Sequence, residues 1–469
     1  MISYDPDKLE KWSDGRWCGF NNNLNITGFC IDSRKVNSGD VFIAIKTTDN
    51  DGHLFLNDAK RNGAVAVIVE NENTTIEIPQ LVVENTVLAL TEIARYYRRE
   101  FNGTVIGITG SCGKTSTKDL LSTLLGDQTV CKTKDNLNNK LGISLTLLSI
   151  DPSIHSTAVV EVGISELGEM DELVKILNPD FAIVTLVGEA HISGLGNVKS
   201  IAHEKHKLIQ YINCNGFALY PIDCKQYNEF NQNTQNHWVL CEARYPNENH
   251  NCLLYDYVNA SGSKASAITL SSIYFDEFTF DLPSNVVSTG IIRNLAMALG
   301  FSLRLGITPS TLQDQLLKWK PSSLRGEILT RNGQTFYVDC YNSNPISMKE
   351  ALIGFSNYFS NVPRLFVLGC MNELGVESKA LHKAVGSTDV FLSSDTAVLI
   401  GEQSEELKSG ILESGINSSS ITIVDSIDEA RSVVKSFEGA ILLKGSRTYK
   451  LEALIPNTKI DIEEEVMTC

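Results

Sequence analysis

Short apolar runs rich in Val and Ile alternate along this chain with stretches whose apolar residues recur at helical spacing. Continuous or two-residue periodicity marks strands, and the i, i+3, i+4, i+7 pattern marks helices. The runs fall into three blocks. In residues 1–100, Phe29–Arg34 and Asp40–Ile45 read as strands or strand ends, Leu56–Asn62 as a helix closing on Gly63, and Ala64–Val69 as a strand. In residues 101–315, strands are expected at Val105–Ile108, Ala158–Gly163 and Phe181–Val187, with a helix from about Lys199 to Tyr211 and a β-rich flank over 213–285. A further helix beginning at Asn294 is followed by one over Leu312–Trp319, capped by Thr308 or Ser310. Residues 316–469 show regular βα alternation, with strands at Phe336–Asp339, Arg364–Gly369, Ala397–Gly401, Ile421–Val424 and Ala440–Gly445, and helices starting near Ser347, Lys379, Gln403, Ser426 and Arg447. The expected class is α/β with three domains: a small α/β unit, a central mononucleotide-binding unit and a C-terminal Rossmann-like unit.

The central block opens on its chemistry. Val105-Ile106 and Ile108 lead into Gly107-Ile108-Thr109-Gly110-Ser111-Cys112-Gly113-Lys114-Thr115-Ser116, and Asp119–Leu125 leads out with helical spacing. Strand, glycine turn and helix is the layout in which backbone N–H groups and a helix N-terminus cradle phosphate. Lys114 would reach the terminal phosphates of ATP or GTP, and the Thr115 hydroxyl would hold magnesium. The usual loop has a glycine five positions before Gly113. That position is Ile108, so the loop is a variant.

Other polar residues at strand ends extend this picture, because ligands of doubly wound sheets collect at the C-terminal ends of their strands. Glu161 near the end of one strand reads as metal-directed in preference to structural. His191, after the next strand, is either a satisfied structural histidine or a neighbour of the same metal. In the following helix the apolar stripe is Ile201, Leu208 and Ile212, and Lys205 falls on it, whereas Lys199 and Lys207 point elsewhere and look solvated. An inward lysine must snorkel, pair with a carboxylate or be chemically changed, and snorkelling is the default. Asp32-Ser33-Arg34 and Asp51-Gly52-His53 are either ligand contacts or a turn with a surface ion pair. The polar strand ends Asp339–Pro345 and Lys444–Arg447 are expected ligand contacts.

Charge and cysteines narrow the classes. With 40 basic and 56 acidic residues in 469, the formal charge is −16, which argues against a broad nucleic-acid-binding face. A composition 42% hydrophobic and 20% charged is that of a globular chain. Neither a signal peptide nor a membrane span is visible, and the eleven cysteines show no CxxC pair, so reduced thiols of a cytoplasmic protein are expected.

Taken together, the motifs resemble those of the Mur ligases, ATP-dependent amino-acid or dipeptide ligases of peptidoglycan precursor synthesis. The resemblance runs through all three blocks in order. Thr109–Thr115 matches the family's TGxxGKT signature, which accounts for the displaced glycine. Asn136–Gly142, Asp339–Pro345 and Val367–Gly375 resemble the dipeptide-adding member, Asp32–Arg34 and Asp51–His53 the UDP-sugar-binding segment, and Lys444–Arg447 the closing KGSR motif. The first block is thereby implied to be a UDP-binding domain. The implied substrates are UDP-N-acetylmuramoyl-tripeptide, D-alanyl-D-alanine and ATP, with two magnesium ions, in a monomer. The implied catalytic residues are Lys114, His191 and Lys205. Lys205 takes the place of the family's carbamylated lysine, and Thr115, Glu161, His191 and the modified Lys205 take those of metal ligands. Gly110 to Ser116, Asn294 and Arg325 are implied at the nucleotide, and Ser33, Arg34, Asn138, Asn139, Asn342, Asn344, Lys444 and Arg447 at the other substrates. The chain departs from the family at Leu186, at Gly290-Ile291 where a His-Asn pair is usual, at Cys370 and at Thr47-Thr48. Two rival readings are a ligase adding a single amino acid, whose DNPR- or DNPA-like motif is missing here, and a non-catalytic UDP-sugar-binding protein.

Overall fold

Val- and Ile-rich runs separated by helices fold as parallel strands with crossover connections. A computed structural model describes residues 2–19, 24–231, 236–243, 251–260 and 264–456. It contains three sheets. The first has five strands, ordered Arg16–Cys18, Gln80–Val82, Ala66–Val69, Asp40–Ile43 and Gly28–Cys30, parallel apart from the Arg16–Cys18 edge. The second has nine, ordered Phe275–Asp281, Lys264–Ser272, Cys252–Ala260, His237–Glu242, Ala218–Pro221, Phe181–Val184, Thr104–Thr109, Thr157–Glu161 and Val130–Lys132. Only the last hairpin and its neighbour, at the Phe275–Asp281 edge, run antiparallel. The third has six, ordered Glu327–Arg331, Gln334–Asp339, Ala440–Lys444, Arg364–Gly369, Thr396–Ile400 and Ile421–Val424, antiparallel only at its first pair.

One apolar core joins the first two sheets: Ile43, Ile68, Leu90 and Ile93 cluster with Ile143, Leu147 and Val174. The joint is also polar. The helix Thr86–Glu100 carries Arg98, which donates to the carbonyls of Leu177 and Asn178 at the end of helix Glu169–Leu177 and pairs with Asp180 at 2.8 Å. A cation there satisfies helix-end carbonyls that have no partner within the helix.

Several expectations need correction. The strand Phe181–Val184 stops before Thr185, so His191 stands in a loop seven residues beyond it rather than at its end. The helix expected at Asn294 begins at Thr289, and among the described residues after Arg447 there are only 3₁₀ turns, at Arg447–Tyr449 and Leu451–Leu454, in place of the expected helix. Thr308 is the residue that caps Pro309–Leu316. Lys207 is not solvated: its ammonium lies 2.7 Å from Asp171 and 2.6 Å from Glu204. The ten described cysteines are unbridged, and Cys469 lies outside the described residues. Among the described residues no helix is long and apolar enough to cross a membrane.

Candidate active site

In the middle sheet, the chain leaves strand Thr104–Thr109 toward Val130–Lys132 on one side, and leaves Phe181–Val184 toward Ala218–Pro221 on the other. These two strands are adjacent, so the crevice at their C-terminal ends is a topological switch point, where such sheets bind ligands. The glycine loop occupies it. Gly113 has φ +80° and Gly110 φ +155°, and a Cβ on Gly110 would lie 1.9 Å from the Thr185 hydroxyl. That hydroxyl donates to the carbonyls of Cys112 (2.5 Å) and Thr109 (3.3 Å). Ser111 N–H donates to the Leu186 carbonyl at 2.9 Å, and the Ser111 hydroxyl exchanges hydrogen bonds with both backbone groups of Gly188. Leu186, where the family has asparagine, therefore still holds the loop, through its backbone.

Helix Lys114–Leu125 starts directly from this loop. The Lys114 ammonium donates to the Gly110 carbonyl at 2.8 Å, and the Thr115 hydroxyl donates to Glu161 Oε2 at 2.8 Å. Glu161 Oε1 accepts from Asn138 at 2.9 Å. Asn294 abuts Gly113, and its Oδ1 is buried with no hydrogen-bond partner among the described residues. Gly113→Ala would set a Cβ 2.9 Å from that oxygen in a left-handed conformation, costing about 1–2 kcal/mol. If the loop must relax to bind nucleotide, ATP affinity is expected to drop about tenfold, as titration calorimetry would show.

Lys205, on helix Val198–Gln210, is only 2% exposed. Burial first, and then the charge of Lys114, hold its amine well below the ordinary lysine range, with Cys112 and Glu204 acting in the opposite direction. No hydrogen bond or ion pair with another described residue reaches it. It does not snorkel. Burial also lowers Lys114, with Glu161 opposing and Arg325 adding to the shift. Arg325 stacks on the Tyr341 ring at 3.9 Å. Lys114 and Arg325 are thus neighbouring cations with the buried Lys205 amine beside Lys114, and Glu161 is the carboxylate that acts on Lys114. Such an arrangement suits an anionic ligand. Burial pushes the Cys112 thiol in the same loop up to about 12.

The third domain closes the site from above. Asn344 caps helix Pro345–Tyr358 through a capping box with Ser347, and its amide also donates to the Ser111 carbonyl at 3.0 Å. Ser322 donates to Asp119 at 2.5 Å, Arg293 pairs with Glu350 at 2.8 Å, and His191 Nδ1 meets Glu373 Oε2 at 2.5 Å. Glu350 fills the space beside Gly290, where a Cβ would lie 2.2 Å from its carboxylate. The departure at Gly290 is therefore matched by a residue of the facing domain.

Other expected ligand residues have internal partners. Asn139 caps helix Lys140–Leu148, and Lys444 is buried, donating to the Asn342 carbonyl at 2.8 Å with Asp339 at 3.1 Å. Arg447 pairs with Glu452. In the first domain Arg34 forms a two-pronged pair with Asp32, the Ser33 carbonyl accepts from Asn62, and Asp51 binds the His53 ring at 2.7 Å. A cavity of about 370 Å³ beside His53 is lined by Lys46, Asp51, Glu70 and Glu72 among others. Ser116 sits half-buried on the first turn after the glycine loop. Among the described residues no group of three or more His, Cys, Asp or Glu side chains converges as a ready metal cage. Sequence reasoning missed Thr185, Glu350 and Glu373. Thr185 carried a faint signal, a hydroxyl at the end of an apolar run, and Glu373 lay inside the family-like stretch Val367–Gly375 without being singled out; Glu350 carried none.

Fold and site define a three-domain α/β protein of the P-loop class, with its glycine-loop crevice roofed by the C-terminal domain. Family models describe the same three units: the Mur ligase family catalytic domain over residues 25–98, the Mur ligase middle domain over 108–302 and the Mur ligase glutamate ligase domain over 324–447. The UDP-N-acetylmuramoyl-tripeptide–D-alanyl-D-alanine ligase of Bacillus subtilis is 30% identical over 436 residues, covering 92% of each chain. The enzyme of that name from Escherichia coli is 29% identical, covering 97% of this chain and 98% of its own. Among solved structures, MurF from Acinetobacter baumannii superposes with a TM-score of 0.83 at 26% identity, covering 97% and 98%. MurF from Thermotoga maritima in complex with ADP gives 0.75 at 26% identity, covering 93% and 97%. The chain belongs to the Mur ligase family.

Proposed function

We propose that this ligase joins D-alanyl-D-alanine to UDP-N-acetylmuramoyl-tripeptide at the expense of ATP. The observation that carries the reading is full-length similarity to ligases of that name, over a crevice where Lys114, Thr115, Glu161 and Lys205 converge. ATP phosphorylates the terminal carboxylate of the tripeptide, giving an acyl phosphate and ADP. The dipeptide amine then attacks the acyl carbon, the amide forms, and phosphate leaves.

Joining a carboxylate to a triphosphate requires two anions to touch. The loop amides of Gly110 to Gly113 and the Lys114 ammonium bind the phosphates in this reading, and Arg325 offers a second cation from the facing domain. Asn294, with its buried oxygen unpartnered among the described residues beside Gly113, lies at the nucleotide. The Thr115 hydroxyl and Glu161 Oε2, adjacent hard oxygens 2.8 Å apart, fit magnesium. When bound, that ion neutralises charge on the transferred phosphoryl group. His191 stands in the loop beyond Gly188, and its imidazole would complete the metal side of the site.

Lys205 fits carbamylation, because burial and the neighbouring Lys114 charge both favour the unprotonated amine, the form that is nucleophilic toward carbon dioxide. Its nitrogen bonds to the carbon, one proton leaves, and a carboxylate results on the side chain. This gives an anion to the cationic cluster and an oxygen donor to a second metal. Asn344 and Ile346 of the facing domain cover the loop at Ser111 and Gly188, and closure there would keep water from the acyl phosphate. Asn138, Asn342, Lys444, Arg447, Ser33 and Arg34 stay in this reading as neighbours of the acceptor and UDP-linked substrates. The reaction draws on ATP and a nucleotide-linked precursor, which supports a cytoplasmic location.

The test is phosphate release from ATP by the purified chain. Release is expected only when UDP-tripeptide and D-alanyl-D-alanine are both present. Release with a single amino acid in place of the dipeptide would move the chain to another Mur-type reaction, and no release with any acceptor would favour a non-catalytic binder.

A further inference from the structure

His191 and Glu373 belong to different domains, and both are non-glycine residues in the left-handed region, at φ +54° and +63°. Such conformations cost on the order of 1–3 kcal/mol each and persist where the surroundings over-determine them. The surroundings do so on both sides. The loop before His191 is clasped at Gly188 by the Ser111 hydroxyl of the glycine loop, and helix Ile192–Leu195 starts immediately after it. The loop carrying Glu373 is pinned through its backbone. Met371 N–H donates to His382 Nε2 at 2.8 Å, and Asn372 N–H donates to the Ser446 hydroxyl at 2.9 Å. Ser193 N–H then donates to the Glu373 carbonyl at 3.3 Å, so the two loops also meet main chain to main chain. Glu373 is left with its carboxylate 2.5 Å from His191 Nδ1, in a contact that is partly open to solvent, with the side chains 56% and 30% exposed.

An ionised carboxylate can only accept hydrogen bonds, so Nδ1 must carry a proton, and in the neutral imidazole Nε2 then carries the lone pair. We propose that Glu373 is the positioning residue of His191: it fixes the ring's orientation and tautomer from the C-terminal domain, so that Nε2 becomes an acceptor only once that domain is docked. The pairing follows the general logic in which a carboxylate orients an imidazole whose other nitrogen serves a site. Here the carboxylate arrives from a different domain, so docking and site assembly become one event. The inference rests on the reading of His191 as a residue of the ligase site.

The test uses the full chain with nitrogen-15-labelled histidine, first without nucleotide. His191 is expected to be protonated on Nδ1 in the wild-type chain and to lose that preference in Glu373→Ala. Glu373→Gln keeps an oxygen acceptor and is expected to retain the Nδ1-protonated form. In steady-state assays Glu373→Ala should lower kcat about 10- to 100-fold with a much smaller change in KM for ATP, and Glu373→Gln should recover most of the rate. An unchanged tautomer in Glu373→Ala overturns the proposal, whatever happens to the rate, and so does a changed tautomer with an unchanged kcat. A wild-type chain showing the Nδ1-protonated ring and its loss in Glu373→Ala, yet no turnover with any acceptor, would leave the pairing standing and remove the reaction assigned above.

Discussion

Lys205→Ala is expected to lower ligase turnover by on the order of a hundred- to a thousandfold, with partial recovery when a short-chain carboxylic acid is added. The argument starts from burial. A lysine on the inward stripe of helix Val198–Gln210, 2% exposed and close enough to Lys114 to feel its charge, cannot stay an unpaired ammonium cheaply. Losing the proton removes one cost and creates a nucleophilic amine. On the proposed reading, adding carbon dioxide would turn that amine into a carboxylate in the neighbourhood of Lys114. A free acid that enters the space left by the truncated side chain would replace that carboxylate and not the ammonium, so recovery by an acid distinguishes the two. Lys205→Arg preserves positive charge but cannot form the carbamate, and should be as inactive as alanine. Full activity in Lys205→Arg, or failure of labelled carbon dioxide to attach to the active wild-type chain, would end the carbamate reading.

Asp395→Ala should destabilise the third domain by about 3–5 kcal/mol. Arg364, at the start of one strand, donates to both carboxylate oxygens of Asp395, which directly precedes the neighbouring strand, at 2.9 and 2.6 Å. Two further guanidinium hydrogens go to the carbonyls of Ser356 and Val390, and the two side chains are 4% and 2% exposed. Removing the carboxylate leaves a desolvated guanidinium with only carbonyl partners, and also leaves Leu392 N–H without its acceptor. A loss of that size is a large part of the 5–15 kcal/mol that holds a typical domain together. Calorimetric unfolding would show it, with the domain melting apart from the rest of the chain. The double replacement Arg364→Leu with Asp395→Leu should recover most of the loss, because the pair's worth is largely the avoidance of a buried lone charge. A change under about 1 kcal/mol in Asp395→Ala would mean the pair is solvated in solution.

Reading the strands from Val- and Ile-rich runs worked because a buried parallel strand needs apolar residues on both faces. It placed Arg364–Gly369 and Ile421–Val424 on the residues observed. It overran at Phe181–Val187, because Leu186 and Val187 are buried as a loop under the roof and not as strand. Apolarity reports burial, and only hydrogen-bond register separates a strand from a buried loop. The same ambiguity explains Lys207. Helical spacing put it off the apolar stripe, and the conclusion that it was solvated failed because Asp171 of a neighbouring helix comes to meet it.

The glycine loop, its helix and the inward position of Lys205 were determined by sequence alone, since each is local. Gly110 and Gly113 permit the turn, Lys114 and Thr115 follow on the first helical turn, and a period of 3.6 residues puts Lys205 in line with Ile201 and Leu208. Membership of a family could also be read there, through motifs in the same order along three blocks. Tertiary structure alone decided which side chains face one another across those blocks. Glu161 meets Thr115, Lys205 feels Lys114, Glu350 fills the gap at Gly290, and Glu373 meets His191. Each of these contacts joins segments separated by crossovers or by a domain boundary. Side-chain periodicity fixes a face of one element but carries no information about what another element brings to it.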